Sequence, residues 1–80
     1  MNEVQILNTP RLPARLEVRQ VAQLLGFAEH DIPILVRDKL LTPLGKPALN
    51  SHKYFCAADI EGLARDKAWL DKATKSVSKH

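Results

Sequence analysis

Apolar positions along the chain fall into four stripes of helical spacing, separated by Gly, Pro and polar turns. Val18, Val21, Ala22 and Leu25 recur at i, i+3, i+4 and i+7, one face of a helix over residues 17–25. Gly26 follows at the position where helices commonly end in the left-handed conformation. Leu16 precedes the helix and is expected to staple its start. Ile32, Leu35, Val36 and Leu40 form the second stripe. Pro33 fixes where that helix begins. With Asp31 as the cap, Pro33 falls in the first turn, where its missing N–H costs little. The reading is a loose turn over Glu29 and His30, then a helix from about Ile32 to Lys39. Ile60, Leu63 and Ala64 make a third stripe within residues 57–66. Trp69 lies about 180° from it on a straight helix. Trp69, Leu70, Ala73 and Val77 instead define a stripe of their own. A break near Asp66 is therefore predicted, with Asp66 capping a last helix from about Lys67 to Val77. Residues 78–80 are expected to fray.

The rest of the chain lacks this period. Residues 1–15 read as an extended or flexible arm. Pro10 and Pro13 prevent a regular helix there, and Val4, Ile6 and Leu7 suit a short extended segment. Between residues 40 and 56, Pro43, Gly45 and Pro47 interrupt the chain and Asn50-Ser51 signals another turn. Leu41-Thr42 and Lys53-Tyr54-Phe55 are predicted to pair as a small β-hairpin with a long irregular tip. Strand alternation turns one of Tyr54 and Phe55 inward, and Phe55 is the expected core residue. Trp69 is expected to lock the last helix against the domain.

Composition narrows the function classes. Eighty residues make one small domain with a modest core, too short for a two-lobed enzyme or a nucleotide-binding α/β fold. A single cysteine excludes an internal disulfide framework. No apolar run approaches a membrane span. The start Met1-Asn2-Glu3-Val4 lacks the basic and apolar regions of a signal peptide, so a cytoplasmic protein is expected. The net charge of +3 is unevenly spread. Residues 16–38 carry Glu17, Glu29, Asp31 and Asp38 against Arg19 and Arg37. Residues 39–56 carry Lys39, Lys46 and Lys53 with no acid, and also hold His52. A basic loop of this kind suits phosphate contact, although solubility alone also accounts for such lysines.

Catalytic and metal chemistry find little support. His52 and Cys56 stand four apart, a metal-ligand spacing, but the remaining ligands of a zinc site are missing from their neighbourhood. The same pair lacks an evident orienting acid or oxyanion hole, and Cys56 reads as a small core residue. The three glycines, at 26, 45 and 62, make no phosphate-cradling loop. Neither an enzyme nor a cofactor is expected.

Two short helices joined by a Gly-containing turn, followed by a hairpin, form the winged helix-turn-helix pattern. The block Val18-x-x-Val21-Ala22-x-Leu24-Leu25-Gly26-Phe27, the helix end Val36-Arg37-Asp38-Lys39-Leu40-Leu41, and Tyr54-Phe55 followed by Ala58-Asp59-Ile60-x-x-Leu63 carry a closer likeness. Residues 16–63 resemble the winged helix-turn-helix domains of the MerR-type and excisionase-type DNA-binding families. The resemblance implies a mainly α domain with a β-hairpin wing, spanning residues 16–78, that binds double-stranded DNA as a transcriptional regulator or excisionase-like architectural factor. The second helix would enter the major groove, presenting Glu29, His30, Pro33, Ile34 and Arg37. Lys46, Asn50, His52 and Lys53 would be wing contacts. Arg19 would reach a phosphate, and Lys39 would add to the phosphate contacts. The long C-terminal dimerisation helix and effector domain of MerR-type regulators have no counterpart here, which points to the excisionase-like end and to a monomer or weak homodimer.

The sequence departs from that pattern on its groove-facing side. Glu29 and Asp31 place acids at the helix start, where phosphates disfavour them. Pro33 and Ile34 offer no side-chain donor. Ile34 can still touch a thymine methyl, and a glutamate can accept from cytosine. The alternative is a winged-helix module that binds protein instead of DNA, through His30, Pro33, Ile34 and the arm.

Overall fold

The structure, a computed structural model, describes residues 12–48 and 51–79. Its elements are β1 (Arg15–Glu17), α1 (Val18–Leu25), α2 (Asp31–Arg37), β2 (Tyr54–Cys56), α3 (Ala57–Ala64) and α4 (Lys67–Ser78). The domain is thus mainly helical with a two-stranded antiparallel sheet. Among the described residues, no helix is long and apolar enough to cross a membrane.

The sheet is the main departure from expectation. β2 pairs with β1, not with Leu41-Thr42, and Leu16 lies opposite Phe55. Among the described residues, the expected hairpin survives only as one backbone bond, from Leu44 N to the Tyr54 carbonyl (2.8 Å). The reason lies in burial. Leu16, expected as a staple before the helix, is fully buried beside Phe55, and this register turns both side chains into the core. Arg15, assigned to the arm by sequence, therefore opens β1. Ala14 extends the pairing by accepting from Ala57 N (2.9 Å). Val4, Ile6, Leu7 and Pro10 lie outside the described residues.

Each helix follows from its stripe and its ends. Gln20 Oε1 accepts from the Glu17 N–H (2.9 Å), the return half of a capping box at the start of α1. Gly26, at φ 80°, ends α1, and both its N–H and that of Phe27 reach the Ala22 carbonyl. α2 starts one residue earlier than expected, with His30 rather than Asp31 at the cap position. Asp31 becomes the first helical residue, and its carboxylate accepts from Ala28 N (3.1 Å), bracing the preceding turn. Pro33 sits in the first turn as expected. α2 ends at Arg37, short of Lys39, because Lys39 adopts a left-handed conformation (φ 62°). α3 stops at Ala64. The break before α4 and its cap match the reading, with Asp66 Oδ1 accepting from Trp69 N (3.1 Å). Ser78, expected to fray, closes α4.

Leu16, Val21, Ile32, Leu35, Phe55 and Ile60 form the fully buried centre, each contributing about 1.5–3 kcal/mol on burial. α1 packs on α3 and α2 on α4. The second of these contacts is tied by polar bonds. Trp69 Nε1 donates to the Leu40 carbonyl (2.9 Å), and the Ser76 hydroxyl donates to Asp38 Oδ2. Both bonds hold the C-terminal end of α2 against α4. Cys56 is half-buried rather than a core residue. Phe55 faces inward, so alternation sends both Tyr54 and Cys56 to the other face of the sheet.

Candidate nucleic-acid interface

α2 buries Ile32 and Leu35 and half-buries Val36. At about 100° per residue, its opposite side carries His30, Ile34 and Arg37, with Pro33 at its edge. That side is polar at both ends and apolar between them. His30 is well exposed (83%), its Nε2 3.5 Å from Asp31 Oδ1. Ile34 is half-buried. Arg37 closes the helix with Nε 3.4 Å from Asp38 Oδ1.

Beside the start of α2 lies a cleft of about 410 Å³. Three separate stretches wall it. Glu17, Val18 and Arg19 come from the entry to α1, Glu29 and Pro33 from the entry to α2, and Ser51, His52 and Lys53 from the segment leading into β2. The last stretch is held by its own bonds. The Ala48 carbonyl accepts from both the N–H (3.1 Å) and the hydroxyl (2.8 Å) of Ser51. Lys53 Nζ lies 3.5 Å from the Ser51 carbonyl. Across the cleft, His52 Nε2 stands 3.6 Å from Glu17 Oε1. The fixed charges cancel in number, with Arg19 and Lys53 against Glu17 and Glu29.

The sequence-predicted residues are thus divided. Arg19, His52 and Lys53 converge on one cleft with the start of α2. Lys39 does not join them, since it follows Asp38 and precedes Leu40, both bonded to α4. Lys46 is exposed, in the left-handed conformation (φ 49°) just after Gly45, and does not line the cleft. His30, Ile34 and Arg37 lie on α2 outside its walls. Asn50 lies outside the described residues.

The outer face of the sheet holds a grouping that sequence reasoning missed. Arg15 stacks on Tyr54, with Cζ 3.9 Å from the ring centroid. The His52 ring lies on the same tyrosine, centroids 5.2 Å apart and tilted by 42°. The alternation Lys53-Tyr54-Phe55 was a signal for the outward tyrosine. Nothing in Ala14-Arg15-Leu16-Glu17 marked Arg15 as its partner.

A second cleft, of about 470 Å³, is lined by residues 40–42, Phe55 and Cys56 of β2, and Asp59 with its neighbours on α3. Cys56 lines this cleft, whereas His52 lines the first. Among the described residues, no three His, Cys, Asp or Glu side chains gather as a metal site.

No protein-family model, curated protein or solved structure matches the chain.

Proposed function

We propose that this domain binds double-stranded DNA in the manner of a winged helix-turn-helix protein, as a small regulator or architectural factor. α2 would enter the major groove, and the segment before β2 would lie along the backbone as the wing. One observation carries the reading. Arg19, His52 and Lys53, from two distant stretches, meet at the start of the helix whose outer side presents His30, Ile34 and Arg37. A duplex seated there meets the cations Arg19 and Lys53 beside the start of the inserted helix. Phosphate contacts from Arg19 and Lys53 supply affinity and orientation, and His30, Ile34 and Arg37 are the groups offered to base edges.

The test is fluorescence anisotropy with generic duplex DNA at several salt concentrations. Micromolar affinity falling with a log–log slope of about two to four is expected. Replacing Arg19 and Lys53 together by Ala should reduce that slope by about 1.8, two phosphate contacts at roughly 0.9 each. No binding at about 50 mM salt with around 100 μM protein lies outside the non-specific range and refutes the reading.

A second reading has an observation of its own. Glu17 and Glu29 offset the cleft's two cations, while Pro33 is exposed and Ile34 half-buried on adjacent positions of α2. This combination suits a protein-binding module. It becomes the better account if duplex DNA fails to bind.

A further inference from the structure

We propose that the outer face of the sheet extends the DNA contact, with Arg15 as a phosphate ligand ordered by the ring of Tyr54. The proposal rests on the DNA-binding reading and adds to it a site that the cleft does not contain. The guanidinium of Arg15 lies on the ring, 3.9 Å from its centroid. Stacking of this kind uses the flat face of the cation and leaves the N–H donors at its edge. Among the described residues no carboxylate comes within ion-pair distance of Arg15, and it is exposed. This contrasts with Arg37, which has Asp38 beside it.

Location gives the anion its identity. His52 touches both sites, since it lines the cleft and also lies on Tyr54. His52 therefore links the Arg15–Tyr54 stack on the sheet to the cleft that Lys53 lines. A backbone that passes the wing at Lys53 has its neighbouring phosphates available to Arg15. The ring restricts the long arginine side chain before binding, so less rotamer freedom is lost in making the contact. Tyr54 acts as a positioning residue. One of its faces is already covered by Arg15, so stacking between that face and a nucleobase is excluded.

The experiment uses the full chain and the same labelled duplex. Arg15→Gln should lower the salt slope by about 0.9. The advantage of wild type over the variant should then shrink about 3.5-fold between 50 and 200 mM salt. Arg15→Lys should retain the slope and bind more weakly than wild type, because an ammonium keeps the charge without the planar stack. Tyr54→Phe should bind as wild type does, whereas Tyr54→Leu should weaken binding with the slope retained. Circular dichroism on each variant establishes that it is folded. A wild-type slope and affinity in folded Arg15→Gln would overturn this proposal while leaving the cleft reading intact. Equal losses in Tyr54→Phe and Tyr54→Leu would overturn the role of the ring. Absence of duplex binding by wild type would overturn both readings together.

Discussion

Trp69 is the point at which α4 grips the end of α2, and its replacement by Phe tests how much that grip contributes. The indole is 9% exposed and donates to the Leu40 carbonyl at 2.9 Å. Trp69→Phe removes this bond and the smaller ring. Loss of the bond costs about 1 kcal/mol, near the low end for a buried acceptor, because half-buried Leu40 leaves its carbonyl partly open to water. Loss of roughly 40 Å² of buried apolar surface costs about another 1 kcal/mol at 25 cal/mol per Å². The sum is about 2 kcal/mol, a large share of the ~4–12 kcal/mol expected for a chain of this length. The midpoint of thermal unfolding should fall by roughly 8–16 °C. Urea unfolding followed by far-ultraviolet circular dichroism measures the change, since the protein's single tryptophan is the residue replaced. A loss under about 0.5 kcal/mol, typical of surface substitutions, would refute the claim that this indole holds the helix end.

Two further outcomes follow from the geometry. Gly26→Ala should destabilise the domain by about 1–2 kcal/mol, through the left-handed backbone alone. Its φ is 80° and a Cβ there meets nothing within 4 Å, so an unchanged thermal midpoint would contradict the cap. Glu29→Gln should tighten binding to duplex DNA about threefold if the cleft faces phosphate, since one like charge at about 7 Å in water is worth about 0.6 kcal/mol. Unchanged or weaker binding in the anisotropy titration would place the backbone elsewhere.

What the sequence made legible was local. Each helix runs for seven to twelve consecutive residues, long enough for the 3.6 period to show. Asp66 is a good example, because the phase mismatch between Ile60 and Trp69 required a break and Asp66 was the available cap. The sheet was not legible for the converse reason. Three-residue strands carry almost no alternation, and Arg15-Leu16-Glu17 reads equally well as the approach to a helix. Its partner lies some forty residues away, and only the burial of Leu16 against Phe55 decides the pairing. Lys39 shows a different limit. The apolar stripe continues to Leu40, but Asp38 and Leu40 bond to α4 and the backbone turns left-handed between them. A lysine gives no warning of that turn. The same division runs through the site. Arg19, His52 and Lys53 could be nominated from charge and order, whereas the stack of Arg15 on Tyr54 depends wholly on a register that sequence did not reveal.

The charge arrangement decides where affinity for DNA would have to originate. The fixed charges of Arg19 and Lys53 in the cleft are matched by Glu17 and Glu29. Attraction and repulsion for a nearby phosphate are then of similar size, because the Debye length of about 8 Å at physiological salt spans a cleft of these dimensions. Under the proposed function, Arg19 and Lys53 therefore act as short-range phosphate contacts, and the two acids leave the cleft little net long-range attraction. Arg15 and Lys46 are exposed and do not line the cleft, and neither has an acid as an immediate sequence neighbour. The two kinds of substitution should separate in a titration. Removing a phosphate-contacting cation lowers both affinity and salt slope, because a counterion-releasing contact is lost. Neutralising a cleft acid raises affinity while leaving the number of phosphate contacts, and so the slope, nearly unchanged. If Arg15 makes no phosphate contact, its loss leaves the slope unchanged, and of these three cations Arg19 and Lys53 alone contribute to it.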